Sequence, residues 1–134
     1  MIPTPVTVCV RNLTRGTVLC RQASVARGFR DRSRGLLGRN QLNVDEGMLF
    51  KASPLVPLMW TYTFFMAFPI DLIFLGRGDI VIKIQPSLKP WRFSLVVFGA
   101  RKAIELVAGA ALKAKTTVGD LIAIEIPSHL FGGS

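Results

Sequence analysis

Apolar and polar positions alternate at both ends of the chain, and that alternation is the clearest structural signal in it. In "TPVTVCVRN" and "TVLCRQASV" apolar residues recur at every second place, the period of a half-buried strand, and the two runs flank "LTRG". This predicts a hairpin with Leu13 to Gly16 as its loop and Gly16 in the left-handed conformation. Counting back from that loop sets Val10 opposite Leu19 and Cys9 opposite Cys20. Val6, Val8, Val10 and Leu19 then face inward, and both cysteines face outward beside Thr7, Arg11 and Val18, close enough across the strands for a disulfide but expected as free thiols in a reducing cytoplasm.

The middle of the chain changes texture. "ARGFRDRSRGLLGRNQL" has few apolar residues and predicts a short surface helix from about Gly28 to Leu36, ended by Gly35 or Gly38. "DEGMLFK" reads as a strand entered through Gly47, and "DLIFLG" and "DIVIKIQP" as two strands around a tight turn at Arg77 and Gly78. "SLKPWRFS" is a loop, "SLVVFGA" and "AIELVAG" are strands, "AALKAKT" makes one or two helical turns, and "DLIAIEI" is the closing strand. Many short strands without strand-helix-strand alternation predict a mainly β fold: a compact, mainly antiparallel barrel or sandwich with one or two short helices. One domain over 1–134 is expected, with 127–134 as a loose tail.

Between Lys51 and Asp71 the stretch "ASPLVPLMWTYTFFMAFPI" carries no charge, which raises the question of a membrane span, since about 18 such residues suffice for one. Pro57 and Pro69 would break a helix there, and Ser53, Thr61, Tyr62 and Thr63 add polar groups. Split at the prolines, the stretch becomes "LMWTYTFFMAF" and "IDLIFL", two buried strands joined at "FPID". No transmembrane segment is expected. Met1 to Thr7 has neither a charged start nor an apolar run, so no secretory signal is expected and the expected location is cytoplasmic.

Charge adds one asymmetry. The chain of 134 residues has a net charge of +9, and residues 1–39 hold eight arginines against the single acid Asp31. The expected reading is a solvated Arg-rich face; nonspecific association of residues 1–39 with nucleic acid or an anionic membrane is the alternative. That segment lacks lysine, and Phe29 is its only ring, whereas single-strand binders stack bases on several.

Catalytic chemistry is hard to assemble. The one histidine, His129, lies in the tail, Cys9 and Cys20 have no C-x-x-C spacing, and no phosphate-loop glycine pattern is present. Among Asp45, Glu46, Asp71 and Asp120 nothing sets two carboxylates in distinct environments. No catalytic residue, metal or cofactor is assigned, and a hydrolase is kept only as a third reading. Asp71 follows a Pro-Ile corner among core residues, so a buried carboxylate with Arg34 or Arg39 as structural partner is expected.

The motifs "RSRGLLGR", "EGMLF", "TFFMAFPIDLIFLG", "KPWRFS", "IELVAGAA" and "VGDLIAI", in this order, resemble the family known as domain of unknown function 192, over about Val6 to Ile126. The resemblance implies a small β-rich barrel or jelly-roll-like sandwich and no established activity. It marks Arg34, Gly35, Gly38, Arg39, Gly47, Met48, Phe65, Met66, Pro69, Asp71, Trp91, Glu105, Gly109, Gly119 and Asp120 as motif positions. Similar members often place His where Tyr62 stands, a basic residue at Ala67 and a Cys soon after "EGMLF"; if those groups form a ligand or metal site in relatives, the resemblance implies that part of it is lost here. Of the motif positions, Gly35, Gly38, Gly47, Met66, Pro69, Gly119 and Asp120 are assigned structural roles. The candidate ligand-binding set is Arg30, Arg34, Arg39, Trp60, Tyr62, Asp71, Trp91 and Arg92, on a non-enzymatic accessory or ligand-binding domain. Its expected partner is a small anionic ligand or a peptide, ahead of nucleic acid.

Overall fold

The computed structural model describes residues 7–26, 42–53, 55–64 and 66–126. The expected helix at 28–36, the tail at 127–134, Val6, and Arg30, Arg34, Gly35, Gly38 and Arg39 lie outside them.

The hairpin forms as its alternation predicts, with β1 (Thr7–Asn12) and β2 (Thr17–Val25) antiparallel. Gly16 turns the chain at φ +70°, its amide donating to the Asn12 carbonyl at 2.9 Å. Next to the loop the register is the expected one, Asn12 opposite Thr17 and Arg11 opposite Val18. It then slips: Val10 faces Cys20 and Val8 faces Ala23, because β2 passes one extra residue at each of two irregularities. The expected outward Cys9–Cys20 pair is therefore wrong. Leu19 and Cys20 are both buried, and only Cys9 stays half-buried. Both thiols are free. Burial pushes the Cys20 thiol up to about 11, and its Sγ donates to the Asp45 carbonyl at 3.0 Å.

Among the described residues seven strands make one curled sheet. β3 (Glu46–Lys51), β5 (Ile70–Leu75), β6 (Val81–Leu88), β8 (Lys102–Val107) and β9 (Ile122–Glu125) join the hairpin in the order β6-β5-β8-β3-β2-β1-β9. Every pairing is antiparallel except β2 with β3. The two edges meet at one end, where Ile80 bridges Leu121, Val81 N donates to Asp120 O at 2.9 Å and Gly119 N to Val81 O at 2.8 Å. The result is a half-barrel. A 3₁₀ turn, Arg77–Asp79, joins β5 to β6, where Gly78 takes φ +73°.

All six residues of β5 are buried, which explains its unbroken apolar run. Ile73 and Leu75 pack on one sheet face with Val10, Leu19, Leu49, Ile104, Leu106 and Ile122. Ile70, Leu72 and Phe74 pack on the other with Met48, Met66, Phe68 and Leu88. The short helix α1 (Ala110–Lys113) closes the first core through Ala110 and Ala111. Gly47 has no room for a side chain: a Cβ would lie 2.8 Å from the Glu105 carbonyl oxygen and 3.1 Å from Cys20 Sγ.

The second core is covered by something the alternation misplaced. "LMWTYTFFMAF" is not a buried strand, and "SLVVFGA" contributes only two residues of strand. β4 (Leu58–Met59) pairs with β7 (Val97–Phe98) as a separate two-stranded ribbon, continued by a Tyr62–Phe93 bridge. Gly99 N to Pro57 O (2.7 Å), Ser94 N to Thr61 O (2.9 Å) and Thr63 N to Arg92 O (2.8 Å) hold the two segments together. No helix among the described residues is long and apolar enough to cross a membrane.

Candidate functional site

The ribbon is built inside out relative to a core strand. Thr61, Thr63 and Ser94 are buried beneath it. Buried hydroxyls must be hydrogen-bonded, and each one is. Thr61 Oγ1 donates to Glu105 Oε1 at 3.2 Å, Thr61 N to Ser94 Oγ at 2.8 Å, Thr63 Oγ1 to Lys89 O at 2.6 Å, and Arg92 N to Thr63 Oγ1 at 2.9 Å. With small polar residues turned to the sheet, strand alternation turns the intervening aromatics to the outside.

There they touch one another. Trp60 lies 5.8 Å from Phe93 and 6.5 Å from Tyr62, ring centre to ring centre. Phe64 contacts Tyr62 at 5.4 Å, stacks on Trp91 at 6.0 Å and meets Phe93 edge-on at 4.8 Å. Such pairs favour one another, yet half or more of the surface of Trp60, Trp91 and Phe93 remains open to solvent. Trp91 also takes φ +62°, a conformation that costs a bulky residue about 1 kcal/mol and recurs at functional sites. Arg92 follows it, exposed, its Nη1 donating to the Trp91 carbonyl at 3.4 Å. Segments 51–70 and 89–101 carry Lys51, Lys89, Arg92 and Arg101, all exposed, and no acidic residue.

Of the sequence-predicted set, Trp60, Tyr62, Trp91 and Arg92 are brought together on this ribbon. Asp71 is not among them. It points to the opposite face of the sheet, where Oδ1 accepts from Ser87 N at 2.9 Å and Oδ2 from Gly109 N at 3.1 Å and Ala111 N at 3.0 Å. Arg30, Arg34 and Arg39 fall outside the described residues, and so does any pairing of Asp71 with the last two. Met66 is buried in the second core and Pro69 is exposed at the corner before β5.

Asp120 closes a separate polar knot at the hairpin loop. Burial opposes its charge, but Asn12 Nδ2 at 2.9 Å, Thr117 N at 2.9 Å and Arg15 Nε at 3.2 Å outweigh it and hold the carboxyl down at about 2. Gly119, at φ +98°, supplies the turn before it. Sequence reasoning missed Phe64 and Phe93 as members of the aromatic face, and Thr61, Thr63, Ser94 and Glu105 as its foundation. The signal was "WTYTF", in which threonines alternate with rings.

Comparison with known proteins adds a family and a fold. The model of the family DUF192, described as "Uncharacterized ACR", matches residues 10–124. No curated protein matches. Among solved structures, a Sinorhizobium meliloti 1021 protein described as "a putative transcription regulator" aligns with a TM-score of 0.75 at 20% identity, covering 92% of this chain and 98% of that one. A protein of unknown function from Novosphingobium aromaticivorans DSM 12444 aligns with a TM-score of 0.74 at 25% identity, covering 89% and 84%.

Proposed function

Because this chain belongs to the DUF192 family, whose description names no activity, we propose its function from the geometry: a non-enzymatic binding domain that receives an anionic ligand or partner on its aromatic ribbon. The observation that carries this is the outward network of Trp60, Tyr62, Phe64, Trp91 and Phe93 beside Arg92. A face of contacting rings that stays exposed has no packing purpose of its own, and cations beside it select for negative charge.

Binding rather than catalysis is supported by the state of the buried aspartates. Asp71 is saturated by main-chain amides and Asp120 by Asn12, Arg15 and Thr117, so both serve architecture. The test is a thermal-shift screen of anionic metabolites, acidic peptides and anionic lipid vesicles, repeated on Trp60→Ala and Arg92→Ala. At least one compound should stabilise the protein and lose its effect in both variants. A panel without a single stabiliser, or one whose stabilisers ignore both substitutions, removes the proposal.

A further inference from the structure

The ring network occupies only one half of the ribbon. Its other half is an apolar tip, where Leu55 is 90% exposed and Phe98 77%. Main-chain bonds from Val56 to Ser53 and from Gly99 to Pro57 hold this tip in place. Bases and sugars stack on rings, but they have no use for a protruding leucine beside an open phenylalanine; hydrocarbon does. Trp60 and Trp91, each about half exposed, stand on the ring half of the same ribbon. Amphipathic rings favour the headgroup level of a bilayer.

Charge selects among the surfaces that could cover such a face. Lys51, Lys89, Arg92 and Arg101 flank it with no acid on the same segments, and the whole chain carries +9. A second copy of this chain would bring the same cations to the same place and be repelled. Anionic lipid headgroups complement them.

We infer that the ribbon seats this chain on an anionic bilayer surface, with Leu55 and Phe98 entering the acyl region, Trp60 and Trp91 at headgroup level and the flanking cations on lipid phosphates. This rests on the binding role proposed above and names its partner. It also gives Leu55 and Trp60, the open residues of the uncharged stretch, a lipid-facing role without a span. Depth of insertion comes from the tip, and selectivity for anionic lipid comes from Lys89, Arg92 and Arg101.

The experiment uses the full chain with vesicles of phosphatidylcholine alone and of phosphatidylcholine mixed with phosphatidylglycerol. Both tryptophans of the protein lie on the ribbon, so their emission reports on this face without a label. The protein should sediment with the anionic vesicles and shift its emission to the blue, and lipids brominated along the acyl chain should quench it. The double variant Leu55→Ser/Phe98→Ser alters two open side chains and should fold normally while lowering the partition coefficient at least about tenfold. Arg92→Ala should lower it about fivefold at low salt and much less at high salt. Three outcomes overturn the inference: no partitioning of folded protein, partitioning that ignores the tip substitutions, or equal binding to neutral vesicles. If vesicles fail but an oligothymidylate quenches the tryptophans, the occupant is single-stranded nucleic acid. If vesicles fail and a small anion or acidic peptide stabilises the protein, the bilayer is eliminated while the binding role stands.

Discussion

Asp71→Asn is the sharpest probe of how the half-barrel is held. The carboxylate is 1% exposed and accepts three main-chain amides, from Ser87 on one oxygen and from Gly109 and Ala111 on the other. Asparagine keeps the shape but offers one acceptor oxygen and one donor group. In its better orientation the oxygen keeps Gly109 and Ala111, and the NH₂ is forced against the Ser87 N–H. The Ser87 N–H loses its acceptor and the new NH₂ finds none, at about 1 to 3 kcal/mol, and two hydrogen bonds lose the assistance of charge. The sum is about 2 to 4 kcal/mol. At about 4 °C per kcal/mol for a chain of this size, the melting temperature should fall by about 10 °C. Urea unfolding at neutral pH, with an unchanged m-value, is the assay. A loss under about 0.5 kcal/mol would mean that the three amides do not hold the carboxylate. A double-mutant cycle between Asp71 and Arg34 or Arg39 separates amide capture from an ion pair: coupling should stay below about 0.5 kcal/mol if the amides carry the carboxylate.

Gly47→Ala should cost about 1 to 3 kcal/mol, because the added methyl would meet the Glu105 carbonyl at 2.8 Å and backbone cannot step aside; an unchanged unfolding midpoint would contradict that. Asp120, held at about 2 against an ordinary 3.8, contributes stability that is present above pH about 4 and lost as pH falls toward about 2. Asp120→Asn should therefore flatten the acid limb of the stability curve, and an unaltered limb would remove that assignment. Cys20 has the opposite sign: its protonated thiol is favoured by the fold, so its contribution is present below pH about 9 and lost as pH rises toward about 11. In the folded protein at pH 8 a thiol reagent should label Cys9 well before Cys20, and equal rates would speak against the buried position. Trp91→Gly removes a ring but relieves its left-handed backbone, so stability should stay within about 1 kcal/mol while partner binding falls; a large stability loss would make Trp91 a packing residue instead.

Local signals carried much of the fold. Gly16 between two alternating runs announced the first hairpin, the apolar run of β5 with its "RGD" turn announced the second, and "AALK" announced the short helix. What stayed hidden depends on partners far away in sequence. The two extra residues of β2 that bury Cys20 have no local marker, and the parallel pairing of β2 with β3 joins segments separated by residues 26–45.

The ribbon was misread because "LMWTYTFF" has the composition of a core strand. Its threonines turn inward only because Glu105 and the Lys89 carbonyl accept their hydroxyls. Once that foundation is known, the exposure of the rings follows from period-two alternation. Part of the candidate site was legible, since Trp60, Tyr62, Trp91 and Arg92 do meet on one ribbon. Neighbourhood in sequence groups Asp71 with them, but β5 alternation sends it through to the other face.

Quenching of tryptophan emission by acrylamide tests the central claim most directly, because Trp60 and Trp91 are the only tryptophans and both stand half open on the ribbon. Strong quenching of the free protein is expected, with marked protection once anionic vesicles are added and that protection lost in Leu55→Ser/Phe98→Ser. Vesicle binding that leaves quenching unchanged would place the contact elsewhere on the molecule and rule out the ribbon as the membrane-binding face.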